Sequence, residues 1–276
     1  MRHQRPLLLK SGKDALWFIS VISIALISIP ILLILIYGFA IYHDSTGFGT
    51  TVLKAIALTL FTSAVSAAIV FAVFTPLSYE LARKTHKGLE TIADIPASIP
   101  HPIVGIAILI LGSPFTPTGR FLQSIGFDFF DTIQGMIIAL SFVSAPIYIR
   151  SMQSAIISRS EYPELLAQSL GASRIRTLYS VVLPAMSRQT MASALTSMSR
   201  AMSEFGSIAI IAYYVTQYPF SGVSAASVLI YQYYGYFGPG VAITASALMI
   251  LFSLAILLAG RVMGFGQTGG GKINGN

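Results

Sequence analysis

Arg200 and Glu204 stand four residues apart in an apolar run, a spacing that puts a guanidinium and a carboxylate on one face of a helix. No other charge of the chain lies deep in an apolar segment. At about 100° per residue, Ser193, Thr196, Ser197, Arg200, Ser203, Glu204 and Ser207 fall within roughly a third of a helical circumference. Leu195, Met198, Ala201, Met202, Phe205 and Ala209 occupy the opposite side. A charge at the centre of a bilayer costs at least about 2.5 kcal/mol, so such a stripe turns toward a bundle interior or a water-filled path. Two uses follow. Ser197, Arg200, Ser203, Glu204 and Ser207 line a translocation path or gate, or the Arg200–Glu204 pair serves helix packing alone.

Other chemistry is sparse. The chain has no Cys, hence no disulfide framework, thiol nucleophile or Cys-based metal site. His3, His43, His86 and His101 are scattered over different connections without metal-ligand spacing, so no metal site is expected. They read as surface or packing histidines; His101, between Pro100 and Pro102 near a helix start, is a lesser candidate for a gate. Gly266 to Lys272 nearly spells a phosphate-binding loop, but Ile273 replaces the Ser/Thr that would hold Mg²⁺ and no soluble strand precedes it. No catalytic constellation and no cofactor is expected.

The elements that must carry these residues are membrane helices. Of 276 residues, 54% are hydrophobic and 10% charged, and mean hydropathy is +0.75. A soluble domain is typically about 25% charged. Six apolar segments stand out, near 17–42, 51–79, 95–112, 133–150, 187–212 and 240–260. The first is too long for the apolar stretch of a signal peptide and suffices to span a bilayer. The net charge of +7 does not point to nucleic acid, because Lys and Arg cluster between the segments. The N-terminus, the second and fourth connections with their flanks, and the C-terminal tail hold fourteen; the remaining connections hold only Lys54 and Arg120. This asymmetry predicts cytoplasmic N- and C-termini. Residues 213–239 carry no charge but many aromatics, including Tyr213, Tyr214, Tyr231 and Tyr234, and are expected in the outer interface. The Gly-rich tail, 265–276, is expected to be disordered. The fold class is therefore an all-α integral membrane bundle of about six helices, forming a single domain over 1–276.

The fourth connection is more than a loop. Pro163 with Glu161 and Glu164 suits the first turn of a helix. Leu165, Leu166, Ser169 and Leu170 recur at helical spacing, Gly171 suits a left-handed C-terminal cap, and Ser173 suits the cap of a second helix running to Leu183-Pro184. An apolar stripe on such a helix invites a protein partner or packs on its own bundle; the residues alone leave both open.

Gly171, nine residues, then Val181-Val182-Leu183-Pro184 resembles the EAA signature of binding-protein-dependent ABC importer permeases. Ala167 matches the second Ala of that signature; Leu165 and Leu166 stand where it has Glu and Ala, and Glu164 is displaced by one. The resemblance extends over about 50–262. Arg200 to Ser207 with Ile210 to Tyr214, and Pro96, Pro100, Pro102 and Gly105, look most like molybdate/tungstate permeases, with sulfate permeases as near relatives. What the resemblance implies is a permease of a prokaryotic cell membrane, paired with a second copy. Two cytoplasmic ATPase subunits would bind below, and an extracytoplasmic binding protein would deliver the oxyanion from above. Segment 161–184 would then be the coupling segment, with Glu164, Leu165, Leu166, Ala167, Gly171, Ala172, Leu183 and Pro184 as its ATPase-coupling residues. ATP hydrolysis would belong to the partner and alternating access to this chain. A tetrahedral dianion suits Arg donors, but Glu204 offsets Arg200, so only transient contact is expected there. The rival reading is an ion-coupled secondary transporter, which would require a relay of intramembrane ionisable groups where only one opposed pair is evident.

Overall fold

The computed structural model describes residues 8–84 and 86–264, and among these the fold is helical, with one isolated bridge between Val215 and Val223. Among the described residues four helices are long and apolar enough to cross a membrane. Helix α1 (Leu8–Ile36) continues into a π-helical turn at Tyr37–Tyr42; α2 is Thr50–Arg83, α6 Ile133–Ile157 and α13 Pro239–Gly264. Between α2 and α6 lie α3 (Lys87–Ser98), α4 (His101–Gly112) and α5 (Pro117–Ser124). Beyond α6 come α7 (Tyr162–Ser169), α8 (Arg174–Thr177), α9 (Leu183–Ala185), α10 (Ser187–Met202), α11 (Gly206–Ile211) and α12 (Ala226–Phe237). The predicted disordered tail, the phosphate-loop-like stretch, Arg2, Arg5 and Lys272 lie outside the described residues.

Side-chain contacts fix the directions. Ser141 Oγ donates to Ser66 Oγ (3.1 Å), the Tyr148 and Thr75 hydroxyls are 2.6 Å apart, and Gln153 Nε2 donates to the Leu81 carbonyl (3.2 Å). Positions rise together on both helices, so α2 and α6 are parallel. Helix α10 is antiparallel to α6, since Ser193 meets Ser151 at 2.8 Å and Ser197 Oγ donates to the Ser144 carbonyl. Parallel neighbours demand a return crossing between them. Helices α3 and α4 supply it as a pair bent by 106°. The bend falls at Ile99-Pro100, where Pro forces Ile99 into extended backbone. Arg83, the end of α6 and residues 158–186 therefore share one end of the bundle, here termed the basic end. The 113–132 and 212–224 connections share the other.

Two apolar clusters make the core, one around Leu58, Met136, Leu140 and Ile208 toward the far end, the other around Tyr79, Tyr148, Met152 and Leu178 toward the basic end. Between them the buried hydroxyls of Ser63, Ser66, Ser141, Ser144, Ser193 and Ser197 let α2, α6 and α10 approach closely. The side chains of α1 from Leu16 to Ile36 are largely exposed, as a lipid- or protein-facing apolar helix requires.

The structure revises two sequence expectations. The fifth apolar segment, 187–212, is not one helix: α10 ends at Met202 and α11 begins at Gly206. The cause is Glu204, whose carboxylate accepts the Ser207 backbone N–H and so starts a new helix instead of continuing the old one. Residues 213–239 are not only a connection, because α12 lies within them and packs on α13 and α2.

Candidate functional site

Two broken helices meet break to break. Helix α4 starts at His101 and α11 at Gly206, and the two cross closely where Gly105 faces Ser207: a Cβ on Gly105 would lie 2.7 Å from the Ser207 carbonyl oxygen. At the joint Glu204 is 1% exposed. Its Oε1 accepts from the Ser207 N–H and from Ser207 Oγ, both at 2.9 Å. Its Oε2 accepts from Arg200 Nη2 (3.0 Å) and lies 3.0 Å from His101 Nδ1. Arg200 Nη2 is also 2.9 Å from the imidazole nitrogens, while Nη1 donates to Ser203 Oγ at 3.2 Å. The Glu204 carbonyl accepts from Ser227 Oγ of α12 at 2.7 Å. One carboxylate thus ties α4, α10 and α11 together. The group borders an open cleft of about 580 Å³ lined also by Ile99, Pro100 and Phe205.

Of the stripe read from the sequence, Arg200, Ser203 and Glu204 line the cleft. Ser197 and Ser207 are fully buried behind it, Ser197 against α6 and Ser207 beneath Glu204. The stripe divides because the helical wheel does not continue through Ser203–Phe205. His101, a lesser candidate on sequence, contacts both charged partners.

The second site lies at the basic end. Helix α7 closes on Gly171 at φ +91, with Gly171 N–H donating to the Gln168 carbonyl and Ala172 N–H to the Ala167 carbonyl, a Schellman cap. Ser173 Oγ then accepts the Arg176 N–H and starts α8. From Leu178 to Val182 the chain widens into a π-helical turn, after which Leu183 packs against the apolar cluster toward the basic end and Pro184 is exposed. Glu164 turns inward. Its Oε1 pairs with Arg83 Nη2 at 2.6 Å, and its Oε2 accepts from Tyr79 OH at 2.8 Å and Arg83 Nε at 3.1 Å. Glu80, one helical residue further along α2, pairs with Arg174 Nη1 at 2.8 Å. The end of α2 therefore grips both arms of the turn. On the outer side of α7, Tyr162, Leu165, Leu166 and Leu170 are exposed, Leu170 to 82%. Ala167 and Ala172 are half-buried. The apolar stripe that the sequence left between two uses thus does not pack on its own bundle.

Arg83, Tyr79 and Glu80 were not legible as site residues: they lie 81 to 94 positions upstream of their partners, and Arg83 read only as one of the flanking basic charges. Arg150, similarly read, joins α6 to Asp94 and Glu90 of α3.

A helical membrane bundle with a polar cleft between broken helices, and a helix with an exposed apolar face pinned across one end, fits a membrane transport subunit. The chain belongs to the family described as binding-protein-dependent transport system inner membrane component, which its residues 68–264 match. It is an integral membrane permease of the ABC importer type. The molybdate/tungstate transport system permease protein WtpB of Pyrococcus furiosus is 32% identical over 210 residues, 75% of this chain and 76% of that protein. A probable sulfate transport system permease protein, cysT of Chlorella vulgaris, is 33% identical over 180 residues, 64% of this chain and 66% of that one. Among solved structures, a bacterial ABC transporter involved in alginate import shares the fold with TM-score 0.68 at 21% identity, over 94% of this chain and 98% of that one.

Proposed function

We propose that this chain is the permease subunit of an ATP-driven importer that moves a tetrahedral oxyanion, molybdate or tungstate with sulfate as the close alternative, inward by alternating access. The observation that carries the reading is the apolar face of α7, exposed at Tyr162, Leu165, Leu166 and Leu170 while Glu164 anchors the helix to α2. An amphipathic helix laid into a partner's groove is a recurrent docking mode, and a face that its own bundle leaves uncovered is what two separate ATPase subunits, each holding one coupling segment, would need. The oxyanion class rests on the names of the relatives. A second copy of the chain completes the path, and an extracytoplasmic binding protein supplies the anion at the far end. Arg200, Ser203 and Glu204 line the path, with Ser197 and Ser207 supporting them from behind.

Gly171→Leu tests the coupling role. A Cβ at this position meets nothing within 4 Å, so the strain comes entirely from the left-handed backbone, about 1–2 kcal/mol. The strain is relieved by redirecting α7 against α8. The assembled variant is expected to keep basal ATPase activity but to lose its stimulation by loaded binding protein, together with uptake. Normal uptake by a correctly assembled Gly171→Leu complex refutes the coupling role.

Orientation is testable because the chain has no native thiol. With the basic end cytoplasmic, as the charge asymmetry of the sequence predicts, Ser169→Cys in intact cells should resist a membrane-impermeant maleimide and react once the cells are opened. Labelling from outside reverses the topology.

A further inference from the structure

We infer that Glu204 is an internal stand-in for the transported anion: a tetrahedral dianion entering the cleft takes Arg200 and His101 from Glu204 Oε2, and the joint between α4 and α11 loosens as it does so. The inference rests on reading the cleft as part of the path. It comes from the unequal holding of the two carboxylate oxygens. Oε1 is fixed by Ser207 N–H and Oγ in a buried position and has no reason to leave. Oε2 is held only by Arg200 and His101, whose side chains remain 20% and 34% exposed at the cleft. Arg200 Nε takes no part in these bonds, and Nη1 is engaged only by the exposed Ser203 hydroxyl. A guanidinium presenting several N–H groups in a plane matches two oxygens of an oxyanion as well as it matches a carboxylate.

The exchange explains why a permease would place a carboxylate beside a cation that its cargo can reach. An isolated buried Arg would hold a dianion and release it slowly, whereas conduction needs a site favourable enough to enter and weak enough to leave. Glu204 competes for the same donors and expels the anion when Oε2 returns. Because His101 opens α4 while Glu204 caps α11, occupancy by the anion removes the side-chain link between the two half-helices. Binding and opening become one event.

Ser203→Cys places a single thiol at the cleft rim of the full-length chain. In detergent micelles, molybdate or sulfate is expected to slow modification by 2-sulfonatoethyl methanethiosulfonate about fivefold relative to chloride at equal ionic strength, the scale of one unit charge lost at close range in water. The trimethylammonium reagent should be slowed less. Equal rates in all three salts overturn the proposal. Adding Arg200→Gln should abolish the protection, and protection that survives it also overturns the proposal. Adding Glu204→Gln removes the competitor and should lower the half-protecting anion concentration about tenfold, the scale of one charge-assisted hydrogen bond; an unchanged or higher value counts against the exchange. Uptake by the assembled transporter after modification at position 203 tests the path separately. Unimpaired uptake removes the cleft from the path and the inference with it. Blocked uptake without anion protection leaves the path reading standing and defeats the exchange alone.

Discussion

Glu204→Ala is expected to deplete the folded permease from the membrane severely, and the double variant Arg200→Ala/Glu204→Ala to recover most of it. The single change removes a carboxylate that is 1% exposed and satisfies four contacts at once. It leaves a guanidinium with only His101 and Ser203, and deprives the Ser207 N–H at the start of α11 of its acceptor. Breaking a buried ion pair on one side costs roughly 3–5 kcal/mol; a partly exposed Arg200 puts this case near the lower end. Against a typical total stability of about 5–15 kcal/mol, such a loss takes much of the folded population. The double variant removes the stranded cation and retains only the cost of the uncapped helix start. The measurement is the yield and melting temperature of the purified chain for both single variants and the double. Additive losses would exclude a direct pairing. Uptake adds a second discrimination, because a double variant that folds but transports poorly assigns Arg200 to the moving anion as well as to Glu204.

The parts of this fold that were legible in the sequence are those decided by local chemistry. The turn at Gly171 was readable because a left-handed cap, a preceding apolar helix and a following Ser cap are contiguous, and the structure has all three. Helices α1, α2, α6 and α13 were readable from apolar length, with ends displaced by up to about two and a half turns where polar residues such as Lys10, Lys13, Arg83 and Gln153 extend the helix. The break at Ser203–Phe205 was hidden because Glu204 continues the polar stripe of α10 on a helical wheel, and nothing local signals that its side chain will accept the Ser207 N–H. Helix α12 was hidden by its aromatics, which suit a membrane interface and a packed helix alike. The joint with His101 was out of reach for a third reason: it depends on two helix breaks about one hundred residues apart arriving at one depth in the bundle. A helix start beside Pro100 and Pro102 was legible, but which side chain it would present to Arg200 is a tertiary fact.

Severing the Arg83–Glu164 pair should loosen α7 on the end of α2 without unfolding the bundle. Both side chains are nearly buried, and Tyr79 directs its hydroxyl to the same carboxylate. Arg83→Ala strands Glu164 in contact with Tyr79 alone, and Glu164→Ala strands Arg83 with the exposed Glu161. Each falls in the roughly 3–5 kcal/mol class of a one-sided break, whereas the paired replacement Arg83→Met/Glu164→Leu, of similar volume and without charge, is expected to cost only about 1–3 kcal/mol, for the Tyr79 hydroxyl left without an acceptor. The cost falls on α7, which Glu80–Arg174 continues to tether through α8. Amide hydrogen exchange over 162–170 should therefore accelerate at least tenfold in each single variant, with the α6 amides unchanged, and return toward the native rate in the double. Transport distinguishes what the pair is for. If the ion pair only fastens the helix, the apolar double restores uptake together with slow exchange. If the rigid, oriented guanidinium–carboxylate contact transmits the displacement of α7 to α2, the double restores protection but not uptake. Equal exchange in all four proteins would show that α7 is held by the turn at Gly171 and not by α2.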